Sequence, residues 1–220
     1  MHGSDPGRPN AVFVHIPKTA GSHTMKALGL REFLYPSRSK DWGNAGHVTF
    51  GHQDYPRLVQ LGRVSKEFDE SAFKFCFCRD PFDRAVSHYF WCRMRHSDVV
   101  PETMTFVEFT RELGTLYISN GALGIKGKPG LGGRTWLYSQ TTPIENIDMD
   151  FIGRYENLQE DLQRVASVLG TKVRKADRLR SSEHGPYRTY YNDEAEENVK
   201  KFYQKDFEVF GYDNRLLHVL

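Results

Sequence analysis

Cysteine is scarce in this chain, three among 220 residues, and an odd count excludes a framework of paired bridges. Cys76 and Cys78 stand two apart in one apolar run, on the same face of a strand and too constrained to join. Free thiols fit a cytoplasmic protein; a lumenal domain cut from a membrane anchor is the alternative. Long apolar runs are missing too, with nothing near the roughly 18 residues of a membrane span. Neither sign of charge is in excess. Thirty basic residues face twenty-eight acidic ones, a net charge near +2, which excludes a protein whose main work is coating nucleic acid. No His, Cys or carboxylate cluster shows ligand spacing, so no metal is expected. The opening MHGSDPGRPN lacks the apolar stretch of a signal peptide and reads as a disordered lead-in over residues 1–10.

What is present suits one domain over residues 11–220. Apolar residues make up 39% of the chain, with fifteen Phe and eleven Tyr, enough for a real core. AVFVHI (11–16) and FKFCFC (73–78) read as buried strands, and DFIGRY (150–155) as a third. After Pro81, residues Phe82, Ala85, Val86, Tyr89 and Phe90 fall at helical spacing, with Arg84, Ser87, His88 and Trp91 on the other side. Thr105 and Glu108 form a capping box. A helix from Asn157 carries Leu158, Leu162, Val165, Ala166 and Leu169 on one face and stops at Gly170. A last helix starts near Asn192 or Asp193 and turns Val199, Phe202, Tyr203 and Phe207 inward. The glycine-rich stretch 119–134 is a loop. Strands alternating with helices predict an α/β fold with a mainly parallel sheet.

In such a sheet, ligands bind beyond the carboxyl ends of the strands. The stretch PKTAGSHT (17–24) stands at one of these ends and leads into a helix N-terminus, where unpaired N–H groups and the dipole favour an anion. Lys18 adds a full charge, Gly21 a close backbone approach, and Ser22 and Thr24 hydroxyl donors. It is no Walker A loop, because the lysine precedes the final glycine instead of following it. Taken alone, the segment could equally be an ordinary strand–turn–helix joint with a solvated lysine.

A second motif, RDPFDRAVSHY (79–89), decides between these. IPKTAGS followed by RDPFDRAVSHY resembles the sulfotransferases that use 3′-phosphoadenosine 5′-phosphosulfate (PAPS), and within them the carbohydrate-type branch of heparan and chondroitin sulfotransferases and their bacterial relatives. FIGRYENLQEDLQRV (151–165) and VKKFYQKDFEVFGY (199–212) are similar to that branch as well. The resemblance implies a P-loop-like, three-layer α/β fold and sulfuryl transfer from PAPS, leaving the 3′,5′-bisphosphate (PAP). By position, Lys18, Thr19, Ala20, Gly21, Ser22 and His23 match the loop around the 5′-phosphosulfate. Arg79 and Ser87 match the pair that holds the 3′-phosphate, and SSEHGPYRTYY (181–191) stands where a loop closes over the nucleotide. Ser22 takes the place of a common threonine.

Two roles remain. Lys18 suits stabilisation of the leaving phosphate. A base for the acceptor hydroxyl belongs between the two motifs, where GHVTFGHQDYPRL (46–58) offers His52, with His47 and Asp54 as alternatives. The FGHQDY context is similar to the family's histidine version, and imidazole accepts a proton at neutral pH. A saccharide or glycolipid is the acceptor the resemblance favours; Trp42, Trp91 and Trp136 could stack on sugar faces or belong to the core. A small-molecule kinase and a non-catalytic nucleotide-binding module on the same fold are the rival readings.

Overall fold

The computed structural model describes residues 9–33, 46–115, 137–175 and 184–216. Trp42, Trp136, the glycine-rich loop and most of the lead-in lie outside the described residues, as do positions 181–183.

In chain order the elements are β1 (Ala11–Phe13), α1 (Gly21–Leu28), β2 (Arg31–Glu32), β3 (His47–Thr49), α2 (Tyr55–Gln60) and α3 (Lys66–Ser71). They continue with β4 (Phe73–Cys78), α4 (Pro81–Arg95), α5 (Phe106–Arg111), β5 (Phe151–Arg154), α6 (Leu158–Val168), α7 (Asp193–Phe202) and α8 (Gln204–Phe210). The strands form one sheet in the order β2-β3-β1-β4-β5, and every pairing is parallel. This is the P-loop-like, three-layer arrangement that the sequence predicts. Beyond β1 the chain turns first to one side of the sheet and later to the other. The carboxyl end of β1 is therefore the switch point where an open parallel sheet offers a crevice.

Side-chain alternation builds two cores at once. Ala11, Phe13, Phe75 and Phe77 point to one face and meet Ala27 and Leu28 of α1 and Leu162, Val165 and Ala166 of α6. Val12, Val14, Ile16, Val48 and Cys76 point to the other, against Tyr55 and Leu58 of α2 and Phe68 of α3. Each buried Phe is worth roughly 1.5–3 kcal/mol, so a one-residue slip of β1 or β4 would forfeit both cores. The β1 ladder is shorter than the predicted 11–16. It ends at Phe13, although Val14 still donates to the Phe75 carbonyl at 2.9 Å before Pro17 turns the chain away.

A third core joins α4, α5, α7 and α8 through Phe82, Tyr89, Phe109, Val199, Tyr203 and Phe207. Helix α4 opens on Asp80, whose carboxylate accepts from the N–H groups of Phe82 and Asp83, with Pro81 in the first turn. Its polar side is also sealed from solvent: Arg84, Ser87 and His88 are buried along with the apolar stripe. A helix covered on its charged side needs something polar to face, and that is the loop after β1.

Candidate active site

From Pro17 to Gly21 the chain makes a tight turn. Lys18 and Ala20 both adopt left-handed backbone conformations, φ 67° and 66°. Such residues are uncommon outside glycine, and a left-handed residue next to a helical one turns successive N–H groups toward one concavity. Thr19 is buried and steadies the turn by donating to the Ile16 carbonyl at 2.9 Å. Gly21 begins α1, and a Cβ there would lie 1.7 Å from His15 Nε2, so only glycine lets the loop fold down onto the His15 ring. His15 in turn stacks on Phe13 of β1, ring centres 5.3 Å apart. The core thus sets the height of the loop.

Arg84 fixes the loop from the side. Its Nε donates to the Pro17 carbonyl at 3.0 Å and both terminal nitrogens to the Tyr138 carbonyl at 3.1 Å, while Asp206 stands 3.7 Å away with both side chains fully buried. Asp206 also accepts from Ser139 Oγ and from the Gln140 N–H at 3.0 Å. Gln140 completes the bracket by exchanging hydrogen bonds with both backbone groups of Arg79. Arg84, Gln140 and Asp206 are functional supports that reading the sequence missed. A basic residue in the second motif was visible, but its partner lies 122 positions away.

Arg79 leaves the end of β4 and is almost wholly buried. Asp83 accepts from its Nε at 2.8 Å, the Lys18 carbonyl from its Nη1 at 3.2 Å, and its guanidinium lies 4.0 Å from the centre of the Tyr155 ring. Ser87, buried, stands one turn beyond Asp83 on the same side of α4. Arg79 is thus pre-set by Asp83 and Tyr155, with Ser87 one turn further along α4.

Three of the histidines meet at the inner wall. His52 Nδ1 lies 3.0 Å from the His15 carbonyl, and the two rings meet at a tilt of 44° with centres 4.1 Å apart. A carbonyl only accepts, so Nδ1 carries the proton and Nε2 keeps its lone pair. Burial pushes the His52 imidazole down to about 4, against the His15 hydrogen bond, which raises it; the charge of Arg84 adds to the lowering. His15 and His88 are likewise held well below the ordinary value by burial. The alternatives to His52 stand elsewhere. His47 pairs with Ala11 at the amino end of β1, away from the loop. Asp54 caps α2, its carboxylate accepting from the Arg57 N–H at 3.1 Å. His23 lies on α1 and His184 stacks on Phe90 at 5.4 Å.

Lys18 reaches past the loop to Trp91, its ammonium 5.9 Å from the ring centre. Burial, reinforced by Arg79, lowers it to about 8. A cation concentrated with other cations favours a negatively charged ligand. A sequence model of the Sulfotransferase family matches residues 6–125, more than half of the chain. The chain belongs to the Sulfotransferase family. A protein of Archaeoglobus fulgidus, itself uncharacterised, is 25% identical over 141 residues, 60% of this chain and 97% of its own. Among solved structures, a mouse sulfotransferase complexed with PAP superposes with a TM-score of 0.55 at 14% identity, covering 90% of this chain and 84% of that one. Retinol dehydratase in complex with androsterone and PAP gives 0.50 at 14% identity, covering 91% and 81%. The family model establishes the family, and the structural similarities the fold. Within this sulfotransferase the loop 17–24, Arg79 and Ser87 are the two predicted anion elements, and they converge at the carboxyl ends of β1 and β4. Among the described residues no group of His, Cys, Asp and Glu is arranged to hold a metal ion, and no helix is long and apolar enough to cross a membrane.

Proposed function

We propose that the chain transfers a sulfuryl group from PAPS to a hydroxyl of a saccharide or glycoconjugate, as in the carbohydrate-type branch, by in-line displacement with His52 as base. The observation that carries the reading is the convergence of Lys18, Arg79 and the His52 ring around the turn at 17–21. That the mouse relative is complexed with PAP supports the same donor here. The donor supplies a sulfuryl group on a phosphate: the acceptor oxygen bonds to sulfur as the sulfur–oxygen bond to that phosphate breaks. Lys18 and the N–H groups of residues 19–23 hold the phosphosulfate end and take up charge on the departing oxygen. His52 Nε2 accepts the hydroxyl proton. Arg79 and Ser87 bind the 3′-phosphate by charge-assisted hydrogen bonds.

A polar acceptor is supported by a groove of about 410 Å³ beside α2, lined by Asp54, Pro56, Arg57, Gln60, Thr142, Glu145 and Asn146. Carboxylates, amides and a hydroxyl match a polyol better than a steroid. The buried free thiols Cys76, Cys78 and Cys92 support a reducing, cytoplasmic setting. The test is turnover with ³⁵S-labelled donor against pools of oligosaccharides, glycolipids and hydrophobic alcohols, with calorimetry of PAP against 5′-AMP. Labelled saccharide and a preference for PAP of about 10- to 150-fold that Arg79→Ala abolishes are expected. Equal affinity for the two nucleotides removes the Arg79 assignment, and labelled hydrophobic alcohols alone remove the saccharide.

A further inference from the structure

Arg84, His88 and Trp91 fall at intervals of four and three along α4 and so share one stripe. The ends of this stripe are anchored to the turn after β1, since Arg84 donates to the Pro17 carbonyl and the Lys18 ammonium lies over Trp91. His88 stands between them. It is fully buried, and neither ring nitrogen has a hydrogen-bond partner among the described residues. A buried polar group without a partner costs stability. An imidazole must offer at least one N–H, and here that donor sits amid the positive charges of Arg84, Lys18 and Arg79. Those neighbours donate and do not accept. A hydrogen-bond acceptor that such surroundings attract is an anion.

We propose that His88 is a donor ligand for the 5′-phosphosulfate end of the nucleotide, an N–H contact beyond those of the loop 18–23. The inference rests on the PAPS reading above and extends it to a residue next to, but distinct from, the 3′-phosphate ligand Ser87. Successive helix positions point about 100° apart, so Ser87 and His88 meet different groups of the same molecule. Ser87 lies on the side of Asp83 and Arg79, whereas His88 lies on the side of Pro17 and Lys18. The unpaired nitrogens then have a use: they are satisfied when the anion arrives.

The test compares PAP with adenosine 3′-monophosphate, which lacks the 5′ group, by calorimetry on the parent, His88→Leu and His88→Gln. His88→Leu, which removes both unpaired nitrogens, is expected to match or exceed the parent in unfolding midpoint. Its PAP affinity falls about 10-fold or more, as loss of a charge-assisted donor implies, while its affinity for the 3′-monophosphate stays within about two-fold. His88→Gln keeps one N–H on a longer arm and falls between. PAP binding unchanged in both folded variants overturns the proposal. Equal losses for both nucleotides overturn it too, because they report general damage to the site. If the parent itself does not favour PAP over the 3′-monophosphate, the PAPS reading fails first and carries the proposal with it.

Discussion

Burial and the guanidinium of Arg79 bring the Lys18 ammonium down to about 8, so it is charged at neutral pH yet within titration range. His52 is displaced in the same direction, to about 4, by burial above all. Each shift sets one limb of the pH dependence. His52 serves only when neutral, so kcat/KM falls as pH drops toward 4; a free imidazole near 6.5, as the sequence suggested, would place that limb far higher. Lys18 serves only when charged, so kcat/KM falls as pH rises through about 8. Lys18→Arg, which does not titrate in this range, should lose the alkaline limb, and Lys18→Ala should lose roughly 10²-fold in turnover. His52→Ala should cost roughly 10²–10⁴ in turnover with PAP affinity kept. A wild-type profile flat from pH 7 to 10 would remove Lys18 from the rate-determining step, and one flat from pH 6 down to below 4 would remove His52.

The elements that the site needs most were the easiest to read. β1, β4 and α4 carry strong periodicity, and the capping box of α5 and the Asn192 cap of α7 hold as expected. The predicted last helix is two, α7 and α8, broken at Tyr203. β2 and β3 had no legible signal, for two- and three-residue strands give alternation nothing to repeat. α2 and α3 are six residues each, too short for a helical period, though the Asp54 and Ser65 caps were there to see. Residues 18–23, 79 and 87 could be proposed from the sequence because each lies in a short local motif. The bracket that holds them was not: Arg84 and Asp206 meet only once α8 has packed against α4. This bracket makes a prediction at its own scale. Asp206→Ala leaves Arg84 buried beside an unpaired space and frees Ser139 and the Gln140 N–H, a loss of about 3–5 kcal/mol by analogy with other broken buried pairs. Chemical denaturation should show that drop, and PAP should recover part of it by binding only the folded state. A variant as stable as the parent would mean that the hydrogen bonds of Arg84 to Pro17 and Tyr138 suffice.

At the scale of the molecule, the same lowered imidazoles make folding sensitive to acid. His15, His52 and His88 all bind protons more weakly folded than unfolded. The unfolded chain therefore gains protons first as pH falls, and stability that is complete above the ordinary value of 6.5 is lost on the way down toward 4. On the order of 1–2 kcal/mol per imidazole should disappear between pH 7 and 5, measurable as a falling denaturation midpoint. The positive charge of the site bears on metal dependence. A kinase transferring from a triphosphate recruits Mg²⁺ to offset charge and needs carboxylates to hold it. Here Lys18, Arg79 and the turn at 17–21 present fixed positive charge and N–H groups to the donor, and a sulfuryl group carries less charge than a phosphoryl group. Sulfuryl transfer should therefore survive excess EDTA with little loss. Activity that collapses under EDTA, returns with Mg²⁺ and accepts ATP in place of PAPS would overturn the PAPS reading in favour of a kinase on the same fold.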